Sequence, residues 1–513
     1  MQYDEAMNYL QELTKFGFNF GLGRVEELLR RLGDPQRRLR VIHTGGTNGK
    51  GSVTAMVAAM LEKAGYTAGT FTSPHLHSYT ERYRINGVAI GRERVAELIT
   101  QLRPHLEAMV AEGFEQPTEF EVSTAAAFLY FWEEKVDFLV LEVGLGGAID
   151  STNVVEKPLV TVITNVAMDH MDYLGHTIRE IAGVKAGIAK AGVPMVTAAQ
   201  GEAWHVIRQA CREKGAPLVR VLEAHEGVAD YAAPPDETIF PDGGPAPSGG
   251  STNAPACSML STGGPDSAAV RPAPPDAGEI DGRASADGDE RPSGNAAGSP
   301  PPRVVTWRQG EGGFDLRGQY LSLDGLTGQH RELYIPLLGR HQLANAATAV
   351  AVVELLREQG WPVSEQAIAS GLAATRWPAR LEIVREEPLV LIDGAHNYDG
   401  ARSLRRALDD YFPGRGVVLV LGMLGDKERA RVVSELAPRA RAVVVTRPNN
   451  PRAGDWQRLA GEARRYVHEV YTVEEIPAAV RQGMALVRPG EVVCITGSLY
   501  MVAEAREQFT TLT

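Results

Sequence analysis

The sequence predicts an α/β protein in two parts, a larger parallel-sheet domain followed by a smaller doubly wound one. Apolar strands alternate with helical patterns along nearly the whole chain, and such alternation builds parallel sheets covered by helices. A glycine-rich turn, Gly45-Gly46-Thr47-Asn48-Gly49-Lys50-Gly51-Ser52, joins a short strand to a helix. At 513 residues and 44% hydrophobic content, the chain exceeds one ordinary domain and can fill more than one core.

The elements follow in order. Leu39–Ile42 reads as the strand before the turn. After it, Val53, Met56, Val57, Met60 and Leu61 recur at helical spacing up to a stop at Gly65. Strands are expected at Phe138–Val143, Leu159–Val166 and Pro194–Thr197. Thr177 and Glu180 form a capping box that opens a helix running to about Gly192. Arg303–Trp307 and Leu333–Leu338 read as strands and Gln342–Gln359 as a helix. Gly371 to Arg380, carrying Trp377-Pro378, reads as a connection. Beyond it, strands at Leu389–Ile392, Val417–Leu421, Ala442–Thr446 and Val492–Thr496 alternate with helices and form the second domain. In such sheets, ligands bind beyond the carboxyl ends of the strands.

Between them, residues 231–302 are dominated by Pro, Gly, Ser, Ala and Asp. That composition cannot bury enough apolar area to offset chain entropy, so the segment reads as a disordered acidic insertion. From 232 to 302 it carries ten acidic residues against three arginines, which leaves −5 of the net −12 for the rest of the chain. Nothing resembles a basic nucleic-acid surface. No apolar run is long enough to span a membrane, and the N-terminus has no signal region. Cys211, Cys257 and Cys494 are too widely spaced for a disulfide framework or a zinc site. A cytoplasmic setting is expected.

Strand, glycine-rich turn and helix N-terminus present backbone N–H groups and a favourable dipole to an anion. Lys50 adds a charge for the outer phosphates, and the Ser52 hydroxyl is placed to meet a magnesium ion. The strict nucleotide pattern fails twice, because Thr44 stands for its first glycine and Gly51 for the hydroxyl residue after the lysine. Glu142 lies next to last in the run Phe-Leu-Val-Leu-Glu-Val, and a carboxylate buried there needs a cation or hydrogen-bond donors. His170 reads as a core or hydrogen-bonding histidine or as a ligand. Lys185 lies in an apolar helical stripe, where an ammonium either snorkels or loses its proton. Thr118-Glu119-Phe120-Glu121 opens a helix leading to Phe128, and its acids complement the dipole.

The turn G-T-N-G-K-G-S resembles that of the Mur-ligase superfamily of ATP-dependent amide ligases. The sequence continues with Phe71-Thr72-Ser73-Pro74-His75-Leu76, Tyr79-Thr80-Glu81-Arg82 and Arg84-Ile85-Asn86-Gly87. These runs look like the folate branch, the folylpolyglutamate synthase/dihydrofolate synthase family of the bacterial bifunctional type. The resemblance reaches residue 500 apart from the insertion, which typical members lack. It implies a P-loop-type parallel-sheet ATPase domain over 1–375 and a smaller Rossmann-like α/β glutamate-ligase domain over 376–513.

The resemblance further implies that ATP, bound by Thr47, Asn48, Gly49, Lys50, Gly51, Ser52, Asn345, Arg380 and Asp393, activates a carboxylate as an acyl phosphate. L-Glutamate then attacks it, giving ADP and phosphate. The acceptor is 7,8-dihydropteroate, a reduced folate's γ-carboxylate, or both. Two Mg2+ ions would be held by Ser52, Ser73, Glu142, His170 and a carboxylated Lys185. Arg82, Thr118, Glu119, Phe120, Glu121, Ile149, Asp150 and Ser151 would meet the pterin substrate, and His396 the incoming glutamate. Lys50, Lys185, His170 and His396 are the catalytic candidates. Ala148, Val184 and Ala379 depart from the family's Arg, acidic residue and glycine, and Ala379 reads as a small steric change. These departures leave open a monofunctional folylpolyglutamate synthase or a catalytically lapsed nucleotide-binding regulator. Gly425-Asp426-Lys427 and Thr496-Gly497-Ser498 read mainly as loop-shaping. A monomer acting on small molecules, with no nucleic acid or membrane partner, is expected.

Overall fold

The structure, a computed structural model, describes residues 1–16, 21–224 and 301–510. The acidic insertion, with Cys257, therefore lies outside the described residues save for its last two positions.

Among the described residues, eleven strands form the first sheet: β1 (Val41–Gly45), β2 (Ala68–Phe71), β3 (Tyr83–Ile85), β4 (Val88–Ala89), β5 (Phe138–Glu142), β6 (Val160–Ile163), β7 (Met195–Thr197), β8 (Leu218–Glu223), β9 (Arg303–Asp315), β10 (Gly318–Asp324) and β11 (Gln329–Ile335). Their order is β11-β10-β9-β8-β7-β6-β1-β5-β2-β3-β4. The run from β9 to β2 is parallel, and antiparallel strands close both edges.

Six strands form the second sheet: β12 (Glu382–Glu386), β13 (Leu389–Ile392), β14 (Val417–Leu421), β15 (Ala442–Val445), β16 (Glu469–Thr472) and β17 (Val492–Thr496), in the order β12-β13-β17-β14-β15-β16. Only β12 is antiparallel to its neighbour.

Strand periodicity explains the layers. On β1, Val41 and Ile42 point to opposite faces. Val41 joins a core built with Phe71, Leu139, Leu141 and the helices Tyr3–Leu13, Gly23–Arg31, Arg92–Ala111 and Glu119–Glu133. Ile42 joins Val140, Val160 and Val162 under the helices Lys50–Lys63, Arg340–Glu358 and Glu365–Ala374. The second sheet divides likewise, with Leu389 and Leu391 on one face and Val390 and Ile392 on the other. Apolar residues at consecutive positions are what a strand buried on both faces requires.

Several boundaries differ from the sequence reading. β1 runs three residues past Ile42, because His43 and Thr44 are buried polar residues inside the sheet. The helix opened by Thr177 ends at Ala186 rather than near Gly192. A β-carbon on Gly187 would lie 2.3 Å from that of Ala148, so the chain turns away where the 144–150 loop crosses it. Gly371–Ala374 complete a helix, which shortens the connection. The hairpin β3–β4 and strand β10 carry no strong apolar run, and the far half of β9 is glycine-rich and largely exposed. Among the described residues, no helix is long and apolar enough to cross a membrane.

Candidate functional site

The carboxyl ends of β1, β2, β5 and β6 in one sheet, and of β13, β14 and β17 in the other, open into one cleft of about 900 Å³. Every candidate residue from the sequence lines it, from Thr47 to Ser52, through Ser73, Arg82, Glu142, His170 and Lys185, to Asn345, Arg380, Asp393 and His396.

The phosphate loop is held from the side by the segment after β6. Thr47 N–H donates to Asn165 O (2.9 Å), Asn48 N–H to Asn165 Oδ1 (2.8 Å), and the Thr164 hydroxyl to Asn48 O (2.6 Å). Gly49, at φ +85°, makes the left-handed step into the helix that begins at Lys50. Lys50 Nζ rests on Thr47 O at 3.2 Å. Ser52 is buried and accepts from Gln342 Nε2 at 3.3 Å, and Gln342 Oε1 accepts from Asn345 at 2.9 Å. These bonds hold the loop in the shape of an anion cradle.

Glu142 ends β5 buried, with one hydrogen bond, from Ser73 N–H at 3.3 Å. Burial pushes its carboxyl up to about 7, against the pull of Lys50, the Ser73 bond and Arg380. Lys185 is buried and donates to Gly46 O at 3.0 Å, so it does not snorkel. Burial, with Lys50 nearby, brings its amine down to about 7. His170, in the left-handed region at φ +52°, is brought down to about 4, chiefly by burial, and so offers a neutral imidazole. Among the described residues, no three or more His, Cys, Asp or Glu side chains cluster as a ready-made metal cage. Ser52, Ser73 and Glu142 line the same cleft and carry the oxygen donors that magnesium prefers.

On the far wall, Glu119 accepts from Tyr79 Oη (2.8 Å) and Arg82 Nη1 (2.9 Å), and the Arg82 guanidinium lies 4.5 Å over the Tyr79 ring. Thr118 and Glu121 are spent on the capping box, with Arg24 also 3.1 Å from Glu121. Asp150 likewise folds its own loop, accepting from Leu145 N–H (2.7 Å) and Thr152 N–H (3.0 Å), while Thr152 bonds His43 at 2.8 Å.

In the second sheet's turn, Asp393 accepts from Leu381 N–H (3.0 Å) and Ala395 N–H (2.9 Å). His396 Nδ1 faces Gly394 O at 2.9 Å, and its Nε2 lies 3.6 Å from Asp169.

Sequence reasoning missed a polar junction. Lys427, read as loop-shaping, places Nζ 2.5 Å from Asp169 Oδ1, and Asn397 Nδ2 donates to Asp169 at 2.9 Å. Burial would push Asp169 up, but His396 and Lys427 outweigh it and hold the carboxyl well below its usual range. Asp399 accepts from Asn48 (2.9 Å) and Asn165 (3.1 Å), tying the second sheet to the phosphate loop. Partners hundreds of residues apart leave no signal in spacing. Ala379 also needs correction. It sits at φ +57°, so the change there bears on backbone conformation and not only on steric room.

Residues 44–232 match the Mur ligase middle domain and residues 379–499 the Mur ligase glutamate ligase domain. The dihydrofolate synthase/folylpolyglutamate synthase of Bacillus subtilis is 34% identical, with 99% of each chain covered. The enzyme of the same name from Mycobacterium tuberculosis is 33% identical, over 95% of this chain and 90% of that one. Among solved structures, Mycobacterium tuberculosis folylpolyglutamate synthase complexed with ADP and AMPPCP aligns with TM-score 0.77, 29% identity and full coverage of both chains. Escherichia coli FolC in complex with DHPP and ADP aligns with TM-score 0.73, 26% identity, and 99% and 98% coverage.

Fold, phosphate loop and matched domains define an ATP-dependent ligase of the Mur type. The agreement with the folate enzymes extends from end to end. The chain belongs to the dihydrofolate synthase/folylpolyglutamate synthase family.

Proposed function

We propose that this ligase adds L-glutamate both to 7,8-dihydropteroate and to the γ-carboxylate of reduced folates. The observation that carries the reading is the single cleft in which the phosphate loop, the buried Glu142 and the Asp393–His396 turn converge. In this reading ATP lies on the loop between Thr47 and Ser52, with Asn345, Arg380 and Asp393 around the rest of the nucleotide. The pterin substrate lies along Phe120, Ile149 and Ser151, with Arg82 and Glu119 at its polar end. Thr118, Glu121 and Asp150 act by holding those walls in shape.

The substrate carboxylate attacks the γ-phosphate, forming an acyl phosphate and releasing ADP. The amine of glutamate then attacks the acyl carbon and phosphate leaves. Lys50 and the loop N–H groups stabilise charge on the transferring group, so catalysis is mainly positioning and electrostatics. Because Nδ1 of His396 faces a carbonyl, it carries the proton, which leaves Nε2 to take one from the attacking amine. Ser52, Ser73 and Glu142 would hold one Mg2+, and His170 with a carboxylated Lys185 a second. When bound, such ions neutralise charge on the phosphates. A neutral Lys185 amine is the form that reacts with carbon dioxide.

We further assign residues 1–375 to the ATP-binding domain and 376–513 to the glutamate-ligase domain, with the two sheets as support. We take the enzyme as a monomer of the cytoplasm, a reducing setting in which the free thiols of Cys211 and Cys494 persist. One cleft for both acceptors makes a kinetic test. Dihydropteroate should inhibit glutamylation of tetrahydrofolate competitively. Independent or purely noncompetitive inhibition would contradict a shared site.

A further inference from the structure

Gly51 departs from the nucleotide-loop pattern, in which a hydroxyl residue follows the lysine, and the structure supplies a reason. The indole of Trp377 sits on it. A β-carbon at Gly51 would lie 2.6 Å from Trp377 Cζ2, 3.0 Å from Cε2 and 3.1 Å from Nε1. Separations under about 3 Å are not tolerated between packed carbon atoms, and a fused ring has no flexible end to swing aside. Gly51 is the second residue of the phosphate helix, next to Lys50 and Ser52. Trp377 is half-buried against the core that contains this helix.

The chain between Trp377 and the nucleotide-facing Arg380 has little slack. Ala379 is fully buried, its N–H donates to Glu382 Oε2 (2.8 Å), and its carbonyl accepts from Gly394 N–H (2.9 Å) and Arg380 Nη1 (2.9 Å). Leu381 N–H donates to Asp393 Oδ2 at 3.0 Å. Ala379 and Leu381 both lie in the left-handed region, at φ +57° and +47°, which restricts them further. The backbone two residues beyond the indole is thereby tied to Arg380 and the Asp393 turn.

We propose that Trp377 is a positioning residue that couples the phosphate helix to Arg380 and Asp393, and that position 51 is glycine in order to seat its indole. Filling of the phosphate loop is then transmitted across the cleft by a rigid ring rather than by a charge. Trp377 itself does not touch the reacting atoms.

The test is a double-mutant cycle on the full-length enzyme, with kcat and KM for ATP measured alongside calorimetric ADP binding. Gly51→Ala, normally a favourable change in a helix, should lower kcat/KM for ATP at least tenfold and weaken ADP binding. Trp377→Phe, which keeps a ring over Gly51, should stay within threefold of wild type. Trp377→Leu should lose more in kcat than in KM. The pair Gly51→Ala/Trp377→Leu should return to within threefold of Trp377→Leu alone. Should Gly51→Ala fail to fold, recovery of a folded, ADP-binding double variant carries the same information. Wild-type activity in Gly51→Ala, or a double variant no better than the product of the two single losses, would overturn the proposal. The wild-type ADP titration separately checks the nucleotide site on which it rests.

Discussion

Replacing Lys427 by Met removes the cation from a buried pair and leaves a carboxylate behind. The Lys427 and Asp169 side chains are 8% and 7% exposed, and their charged atoms lie 2.5 Å apart. Removing one partner of a buried pair typically costs about 3–5 kcal/mol, mostly because the other charge is stranded. Asp169 keeps hydrogen bonds from Asn397 Nδ2 and its neighbour His170 N–H, each at 2.9 Å. Those donors take up part of the lost stabilisation, so about 2–3 kcal/mol is expected. Calorimetric unfolding of Lys427→Met, Asp169→Asn and the double variant isolates the pair. A coupling energy of about 2 kcal/mol is predicted, since contacting charges are not additive. Losses that add to within about 0.5 kcal/mol would refute a linked pair at this junction.

Three further outcomes follow from the same geometry. His43 is buried and its ring is pushed down to about 3 by burial, with Lys190 adding to it. The unfolded value is about 6.5, so between those values the unfolded chain takes up a proton that the folded one refuses, and stability falls on acidification by about 1.4 kcal/mol per pH unit. His43→Gln should therefore lose less stability than wild type between pH 6.5 and pH 5, read from melting temperatures across that range. Ala379→Gly should relieve a left-handed residue and stabilise the protein by about 1 kcal/mol, measured by calorimetry. Since the Lys185 amine is brought down to about 7, carbon dioxide has a neutral form to react with near neutrality. Bicarbonate should raise turnover in carbon-dioxide-depleted buffer, with no such rise in Lys185→Ala.

Local signals made much of this molecule legible in the sequence. The phosphate loop stands between a strand and a helix, and three strands of the second sheet fall at their expected bounds because each is a continuous apolar run bracketed by turns. The acidic first turn after Thr118 and the box at Thr177/Glu180 mark helix starts that do form. The buried Lys185 was readable as a charge inside an apolar stripe. What escaped depends on tertiary neighbours. Asp169 meets Lys427 across 258 positions of sequence. Trp377 meets Gly51 only because the connection folds back onto the phosphate helix. The early end of the helix at Ala186 depends on Ala148 crossing at Gly187.

The most direct measurement is a pair of mass-spectrometric assays with ATP, magnesium and L-glutamate, one given 7,8-dihydropteroate and the other a reduced folate monoglutamate. A product one glutamate heavier is expected in both, with ADP and phosphate released in step. Nucleotide binding with no glutamate added to either acceptor would contradict the proposed function.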